Sequence, residues 1–166
     1  MIYAIGAIVL ILVIFVVIII FKYVKLKDVQ KSIEMCIKSI DELLKKKLDL
    51  VNSILKDIDN KNIKEKFSYN EESSLYERED SLFNTSFEIN KYVKENKVEK
   101  LIPKVQELNN LEENIDGLKD YYNANVLNYN EIFLKKNLNK LFKLLKFDSY
   151  KSFKIRKLEE YEIFKN

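Results

Sequence analysis

The sequence predicts an all-α protein in which an N-terminal transmembrane helix is followed by an antiparallel, up-and-down bundle of long helices. Three observations support this prediction. The 166 residues include only two glycines and one proline, so the turn residues that a sheet of many hairpins needs are missing. The chain begins with an uninterrupted apolar segment. Further along, apolar residues recur at spacings of three and four, which is typical of one face of a helix.

The predicted anchor covers residues 1–24. Between Ile2 and Phe21 no residue is charged, and a helix of that length spans the ~30 Å hydrocarbon core of a bilayer. A cleavable signal peptide is the alternative, but its apolar stretch usually has only about 7–15 residues. The segment here also has no Lys or Arg before it and no small-residue cleavage site after it. We therefore expect an uncleaved anchor.

The residues that flank this segment predict its orientation. Aromatic rings with a polar tip favour the headgroup region, and basic residues are enriched on the cytoplasmic side of a membrane. Lysines follow the segment and none precedes it, so we expect a single-pass cell-membrane protein with its N-terminus outside and its body in the cytoplasm. The predicted flanking residues are Tyr3, Lys22, Tyr23, Lys25 and Lys27.

The charge of the remaining chain is balanced. The whole sequence has 29 basic and 26 acidic residues, a surplus that equals the three lysines just after the apolar segment. Nucleic-acid binders usually carry a clear basic surplus, so the balance argues against a nucleic-acid partner. The stretch from Lys135 to Lys157 is locally basic, and we interpret it as a solvated helix face. Contact with anionic lipid or with an acidic partner is the alternative.

A helical bundle domain is predicted over residues 28–150. Its first helix is long and carries one apolar stripe, with no Gly or Pro between it and the anchor. Turn-forming residues at 59–62 end that helix, and the capping-box pattern of Ser68 and Glu71 predicts the start of a second helix that reaches about Lys94. The stripe of the first helix consists of Ile33, Ile37, Ile40, Leu44, Leu48, Val51, Leu55 and Ile58.

A third long helix and a shorter fourth helix complete the predicted bundle. The third helix begins or kinks at Pro103, because proline lacks the amide that an inner turn requires. The fourth precedes an irregular basic tail at 151–166. Burying the apolar faces together favours an antiparallel bundle, although a coiled coil between chains would use the same pattern. The stripe of the third helix consists of Val105, Leu108, Leu111, Ile115, Leu118, Tyr122, Val126, Tyr129 and Phe133.

The sequence lacks the residues on which most catalytic and metal sites depend. It contains no histidine, which excludes Ser–His and Cys–His pairs and the usual zinc ligand sets. Cys36 is the only cysteine, and its place beside the apolar stripe predicts a buried structural role. Glu112, Glu113 and Asp116 have a spacing that suits acid–base chemistry or a hard cation, but we interpret them as helix-surface charge. We therefore predict no enzymatic activity, no catalytic residue, no metal and no cofactor.

A tyrosine–asparagine pair occurs twice, seven residues apart. Tyr122-Asn123 is repeated as Tyr129-Asn130, which places both tyrosines on the apolar stripe and both asparagines one step around the helix. We expect the rings to pack in the bundle with their hydroxyls at its rim, and the amides to bond a neighbouring helix. A groove for a partner or ligand is the alternative.

These residues give the sequence a resemblance to the LemA family of bacterial membrane-anchored proteins. After the N-terminal span, residues 40–51 look like the family segment in which a basic pair precedes Asp-Leu and a hydrophobic residue. The region from 112 to 130 is similar to the family's Glu-Asn followed by two Tyr-Asn pairs, and Phe147 with Phe153 is a fainter match. The matching positions are Asp49, Glu112, Ile115, Tyr122, Asn123, Val126, Tyr129 and Asn130.

The resemblance implies a short external N-terminus, a cytoplasmic antiparallel bundle of long helices and no assigned biochemical activity. The chain would be a divergent member. Asn52 or Ser53 stands where the family often has Pro, and Glu113 replaces an Asn. Leu118-Lys119 replaces Ala-Arg, and Lys136-Asn137 replaces Phe-Pro.

Two functions from different classes agree with these features. The first is a non-catalytic interaction or scaffold module, held at the inner membrane face by its anchor in the lipid bilayer, with an unidentified protein as partner. The second is a self-assembling structural component of the cell envelope, in which the apolar stripes form a coiled coil between copies of the chain. A homo-oligomer belongs to the second hypothesis and is compatible with the first.

Overall fold

A computed structural model describes residues 2–134 and 139–154 of the chain. These residues form five α-helices and a short 3-10 turn at Glu99–Leu101, and they contain no strand, so the prediction of an all-helical protein is confirmed for them. Residues 155–166, most of the predicted basic tail, lie outside the described residues. The helices are α1 (Ile2–Asp57), α2 (Lys61–Lys66), α3 (Leu75–Glu95), α4 (Ile102–Phe133) and α5 (Asn139–Leu144).

The residues group into two compact units. The first unit contains residues up to 35 together with residues 122–152, and thus the first part of α1, the last part of α4 and α5. The second unit contains residues 36–121 with Phe153, and thus the rest of α1, α2, α3 and the first part of α4. The two long helices α1 and α4 therefore contribute to both units.

The N-terminal part of α1 is apolar and exposed. From Gly6 onward α1 is long and apolar enough to cross a membrane, and none of its most apolar stretch is buried. Every side chain from Ile8 to Ile18 is at least 44% exposed. Burial begins only at Leu26, after Lys22 and Lys25. By length and composition, this part of α1 can serve as a membrane span or as a signal.

The remainder of α1 buries one face, close to the predicted one. Ile37 and Leu48 are only half-buried, and Cys36 and Lys47, each one residue earlier, are buried instead. The predicted burial of Cys36 is confirmed, and this burial raises the pKa of its thiol. The predicted stripe residues that are buried are Ile33, Ile40, Leu44, Val51, Leu55 and Ile58.

Ion pairs and hydrogen bonds within the second unit define the directions of its helices. Between α1 and α4, and between α3 and α4, residue numbers rise on one helix where they fall on the other. The α4 segment is therefore antiparallel to both α1 and α3, which run in the same direction. The connection that contains α2 leads from the end of α1 back to the start of α3. The pairs are Lys47–Glu112 and Lys104–Asp57 for α1 and α4, and Lys119–Glu79 and Asn90–Asn109 for α3 and α4.

The start of α3 differs from the predicted one. The Ser68 pattern does not cap a helix, because the Asn70 side chain accepts the amide of Glu72 and the Asn70 carbonyl accepts that of Ser73, which makes a turn. The capping box lies six residues later. There the Ser74 hydroxyl accepts the Glu77 amide, and the Glu77 carboxylate accepts the Ser74 amide at 2.9 Å.

The structure decides between the two predictions for Pro103, a helix start or a kink. The 3-10 turn at Glu99–Leu101 leads directly into α4, which begins at Ile102, so the proline lies in the first helical turn. Amides in that turn have no acceptor within the helix, and a proline there costs no hydrogen bond. Pro103 therefore marks the start of the helix, which continues to Phe133.

The end of α3 is closed by a lysine in the left-handed region. Lys97 has φ 49°. Its amide donates to the carbonyl of Lys94, and the amide of Val98 donates to the carbonyl of Val93 at 3.2 Å, which is the Schellman pattern. Glycine usually occupies this position, because a residue with a Cβ pays roughly 1–2 kcal/mol to adopt the left-handed conformation.

We expect Lys97→Gly to raise the free energy of unfolding by about 0.5–1 kcal/mol, because relief of the left-handed conformation exceeds the extra freedom of glycine in the unfolded chain. The matched control is Lys91→Gly, an exposed position inside α3, which should lower stability by about 1 kcal/mol. Thermal and denaturant melts of the full chain in detergent measure both. A loss of stability in both variants would contradict the prediction.

Candidate functional site

Four charged side chains occupy core positions in the second unit. Lys47 is 1% exposed and Glu112 2%, while Glu79 and Lys119 are buried to a similar degree. Along each helix the buried side chains follow one another mostly at alternating intervals of three and four residues, and each of these charged residues occupies one of those buried positions. On α4 that alternation reads Val105, Leu108, Glu112, Ile115, Lys119 and Tyr122.

The four charges form two ion pairs that join three helices. The Lys47 ammonium on α1 donates to the Glu112 carboxylate on α4. The Lys119 ammonium on α4 donates to Glu79 on α3 at 2.9 Å and to Asp116 on its own helix at 2.7 Å. Removal of charges from water costs several kcal/mol per ion, and contact with an opposite charge offsets that cost only where the geometry is good. Each pair therefore depends on both partners being in place.

A third, less buried ion pair lies beside these two. The Arg78 guanidinium on α3 approaches the Asp41 carboxylate on α1 at 2.7 Å, and Lys45 approaches the same carboxylate at 2.8 Å. The hydrogen bond from Lys45 is the largest cause that lowers the pKa of Asp41, with a further contribution from Arg78. The carboxylate of Asp41 therefore stays charged and links α1 to α3.

The two buried lysines differ in their electrostatic surroundings. Burial lowers the pKa of Lys47, and the attraction of Glu112 opposes this effect only in part. Burial also pulls down the pKa of Lys119, but its hydrogen bonds to Asp116 and Glu79 outweigh that effect, so its pKa lies above the ordinary value. Two carboxylates hold Lys119 in its charged form, whereas Lys47 has one.

The prediction that Glu112, Glu113 and Asp116 are helix-surface charge is wrong for Glu112. Only Glu113 is exposed, and Asp116 is half-buried against Lys119. Oε1 of Glu112 and Oδ2 of Asp116 have no hydrogen-bond donor among the described residues. Within the same part of the chain, no group of three or more Cys, Asp or Glu side chains can hold a metal ion. The acids are bound by lysines, and this arrangement fixes the alignment of helices.

In the first unit, the repeated tyrosine–asparagine pair holds the irregular segment that follows α5. The Tyr122 hydroxyl donates to the backbone carbonyl of Lys151 at 2.9 Å. The Asn130 amide donates to the backbone carbonyl of Tyr150 at 3.2 Å. The ring of Tyr129 packs edge to face on that of Tyr150, with centroids 4.9 Å apart. The predicted packing of the tyrosines is confirmed, but Asn130 bonds an irregular segment and not a neighbouring helix.

Burial makes the Tyr129 phenol a very weak acid. Removal from water is the largest cause, and the charges that Tyr150 and Asp148 can carry add to it, which raises the pKa of Tyr129 to about 12. Burial also raises the pKa of Tyr150, while a hydrogen bond with Gln30 of α1 opposes the shift. The two rings therefore stay neutral at physiological pH, and Tyr150 contacts both α1 and α4.

The other residues of the predicted signature separate into core and surface. Ile115 and Val126 are buried, and Asn123 is half-buried. Asp49 is exposed on α1, in the other unit from Tyr129 and Asn130. The structure therefore does not bring the signature together as one site. It brings Glu112 to Lys47, and Tyr122, Tyr129 and Asn130 to the segment at 150–151.

Only the predicted flank at the C-terminal end of the apolar segment lies where α1 begins to pack. Tyr3 is exposed near the N-terminus, while the ring of Tyr23 packs edge to face on Phe147 with centroids 5.7 Å apart. The Lys27 ammonium lies over the same ring, 4.8 Å from its centroid. Lys22 is half-buried and Lys25 is exposed. The flank at the C-terminal end is therefore part of an aromatic cluster, which the sequence did not indicate.

We expect Lys47→Met to lower the free energy of unfolding by about 3–5 kcal/mol, because Glu112 would keep a buried charge without its cation. The double variant with Lys47→Met and Glu112→Leu should recover most of this loss. Lys46→Met, which removes an exposed lysine from α1, is the matched control and should behave almost like the parent. Denaturant melts of the full chain in detergent measure all three. A double variant no more stable than Lys47→Met would contradict the role of the pair.

Comparisons with known proteins find no relative of this chain. No family model matches it, no curated protein matches it, and no solved structure matches it. The all-helical fold with its apolar N-terminal helix is evident from the described residues themselves. Membership of the LemA family therefore stays a prediction from the sequence.

Proposed function

We propose that this chain is a single-pass membrane protein whose helical body is a non-catalytic interaction or scaffold module at the inner membrane face. The observation that carries the proposal is the exposed apolar part of α1, from Ile8 to Ile18. Exposure of so large and continuous an apolar surface to water is strongly unfavourable, while burial in hydrocarbon satisfies both the side chains and the helical backbone. A bilayer is thus the environment that this segment fits.

The residues just after the apolar segment favour an anchor over a cleaved signal. α1 continues without a break from the apolar segment to Asp57. Leu26, Val29 and Ile33 are buried, and Tyr23 packs on Phe147. Cleavage after the apolar segment would cut α1 next to these packed residues, whereas an uncleaved anchor leaves the helix intact. The lysines at 22, 25 and 27 favour a cytoplasmic body by the positive-inside rule.

We further propose that the body is a divergent antiparallel bundle of the LemA type. The directions of α1, α3 and α4 in the second unit are compatible with this proposal. Lys119 stands where the family has Arg, and the buried cation is kept in an ion pair with Glu79. The family resemblance brings no activity with it, so it supports the architecture alone.

The assignment of a non-catalytic role rests on the side chains available for chemistry. The sequence has no histidine, and the buried carboxylates Glu79 and Glu112 are bound by Lys119 and Lys47. These groups hold helices together and are shielded from a substrate. Exposed faces of the helices remain for contact with a protein partner, and the anchor would concentrate that partner at the membrane.

Labelling of single cysteines should show that the chain spans the membrane. In a Cys36→Ser background, we expect Tyr3→Cys to react with an impermeant maleimide in intact cells. Glu113→Cys, which is exposed in the body, should react only after the membrane is opened. The reverse pattern would contradict the orientation. Loss of residue 3 from the mature protein would contradict the anchor.

Affinity capture with crosslinking in living cells tests the interaction module. We expect the full chain to recover the same protein repeatedly, and a Leu12→Lys, Val16→Lys variant, with two charges in the predicted span, to lose it. The matched control is Met35→Lys with Leu127→Lys, because both side chains are exposed outside the apolar segment. Recovery of the chain alone would contradict the module, and crosslinks between copies would favour the self-assembling alternative.

A further inference from the structure

The end of α5 combines basic and exposed apolar side chains. Lys140, Lys143 and Lys146 are exposed, and no acidic residue lies between positions 139 and 147. Leu144 is 80% exposed and Leu145 46%. Leucines at the end of a short helix normally face a core, so these two exposed leucines among lysines form an amphipathic patch that the described residues of this unit leave uncovered.

Contacts within the first unit place this patch close to the end of the apolar segment. Phe147 packs on Tyr23, and the ring of Phe142 packs on that of Phe147 with centroids 5.9 Å apart. The Phe147 amide also donates to the Phe142 carbonyl at 3.0 Å, which closes α5 with Lys146 in the left-handed region. α5 is therefore held beside Tyr23.

The distance from the apolar segment suits the headgroup region. Tyr23 lies two residues after Phe21, or about 3 Å along a helix. The polar layer on each side of a bilayer is about 5–8 Å thick, half the difference between the whole membrane and its hydrocarbon core. A patch held beside Tyr23 thus falls at the depth of the headgroups, if the apolar segment spans the bilayer as proposed above.

The lysines and leucines of the patch suit one kind of ligand, an anionic lipid. Lysines near a membrane are attracted to anionic headgroups, and leucines favour the boundary with the acyl chains. Lys25 and Lys27 of α1 add to the positive charge on the same side. We propose that α5 and the turn after it form a binding surface for anionic lipid headgroups, in the same bilayer that holds α1. This inference rests on the proposed membrane anchor.

The absence of tryptophan from the sequence allows a direct test with the full chain. Leu144→Trp introduces a single tryptophan at the patch. The protein is reconstituted into vesicles of phosphatidylcholine alone or mixed with phosphatidylglycerol, with bromine on the acyl chains close to the headgroup. Met35→Trp, exposed on α1 and about 21 Å along the helix from Phe21, is the control for a site away from the bilayer. Ile14→Trp reports on insertion of the anchor.

We expect Ile14→Trp to be quenched in both kinds of vesicle and Met35→Trp in neither. Leu144→Trp should shift to shorter wavelength and be quenched in the vesicles that contain phosphatidylglycerol. Addition of Lys140→Gln and Lys143→Gln should reduce that quenching at least about twofold, because each lysine contributes to the attraction.

Quenching of Ile14→Trp without quenching of Leu144→Trp would overturn the headgroup surface and leave the anchor intact. No quenching of Ile14→Trp would overturn the anchor and this inference with it. Equal quenching of Leu144→Trp in both vesicles would overturn the requirement for anionic lipid. A shift to shorter wavelength without quenching would show that protein, in the form of another copy of the chain, covers the patch.

Discussion

Two buried ion pairs constrain the second unit more strictly than its apolar contacts do. A helix that carries only leucine and isoleucine on its buried face can shift along its neighbours by one turn and still bury apolar surface. A shift of α4 past α1 would separate Glu112 from Lys47 and leave two charges without partners in the core. The pair of Lys119 and Glu79 applies the same constraint between α3 and α4. The charges therefore select one alignment of three helices, at a cost in stability that apolar residues would not incur.

The long helices themselves were predictable, because apolar periodicity over twenty or more residues is a strong local signal, whereas the six-residue α2 was not predicted. The buried charges were not. On α4, apolar character alone selects Leu111 and Leu118, whereas the strict repeat of three and four selects Glu112 and Lys119. Charged residues on helices mostly face water, so the apolar choice was the natural one. A charged residue can be buried at these positions because it has a partner of opposite charge on another helix. The pattern within one helix does not reveal that partner. The cap of α3 was misplaced for a related reason, since Ser68 and Ser74 both fit the motif and a turn at Asn70 decides between them.

The tyrosine–asparagine repeat shows how far sequence reasoning reaches at the site. Seven-residue spacing correctly placed Tyr122 and Tyr129 in the core. Their partners belong to a segment without regular structure, and two of the bonds end on backbone carbonyls, which every residue has. No side-chain pattern at 150–151 could therefore have indicated them. The signature positions have different roles in the two units. Glu112 pairs with a lysine of α1 in the second unit. Tyr122 and Asn130 bind the irregular segment at 150–151 in the first unit.

The distance along the chain between Lys47 and Glu112 has a consequence for folding during synthesis. The pair joins residues 65 positions apart, and a ribosome adds roughly 5–20 residues per second, so the lysine emerges about 3–13 s before its carboxylate. During that interval α3 emerges, but the part of α4 that carries Glu112 is still missing. The face of α1 around Lys47 therefore lacks α4, and the ammonium of Lys47 lacks its carboxylate. Completion of the core of the second unit must wait for α4, so a helix that is made late fixes the final place of the helix that is made first.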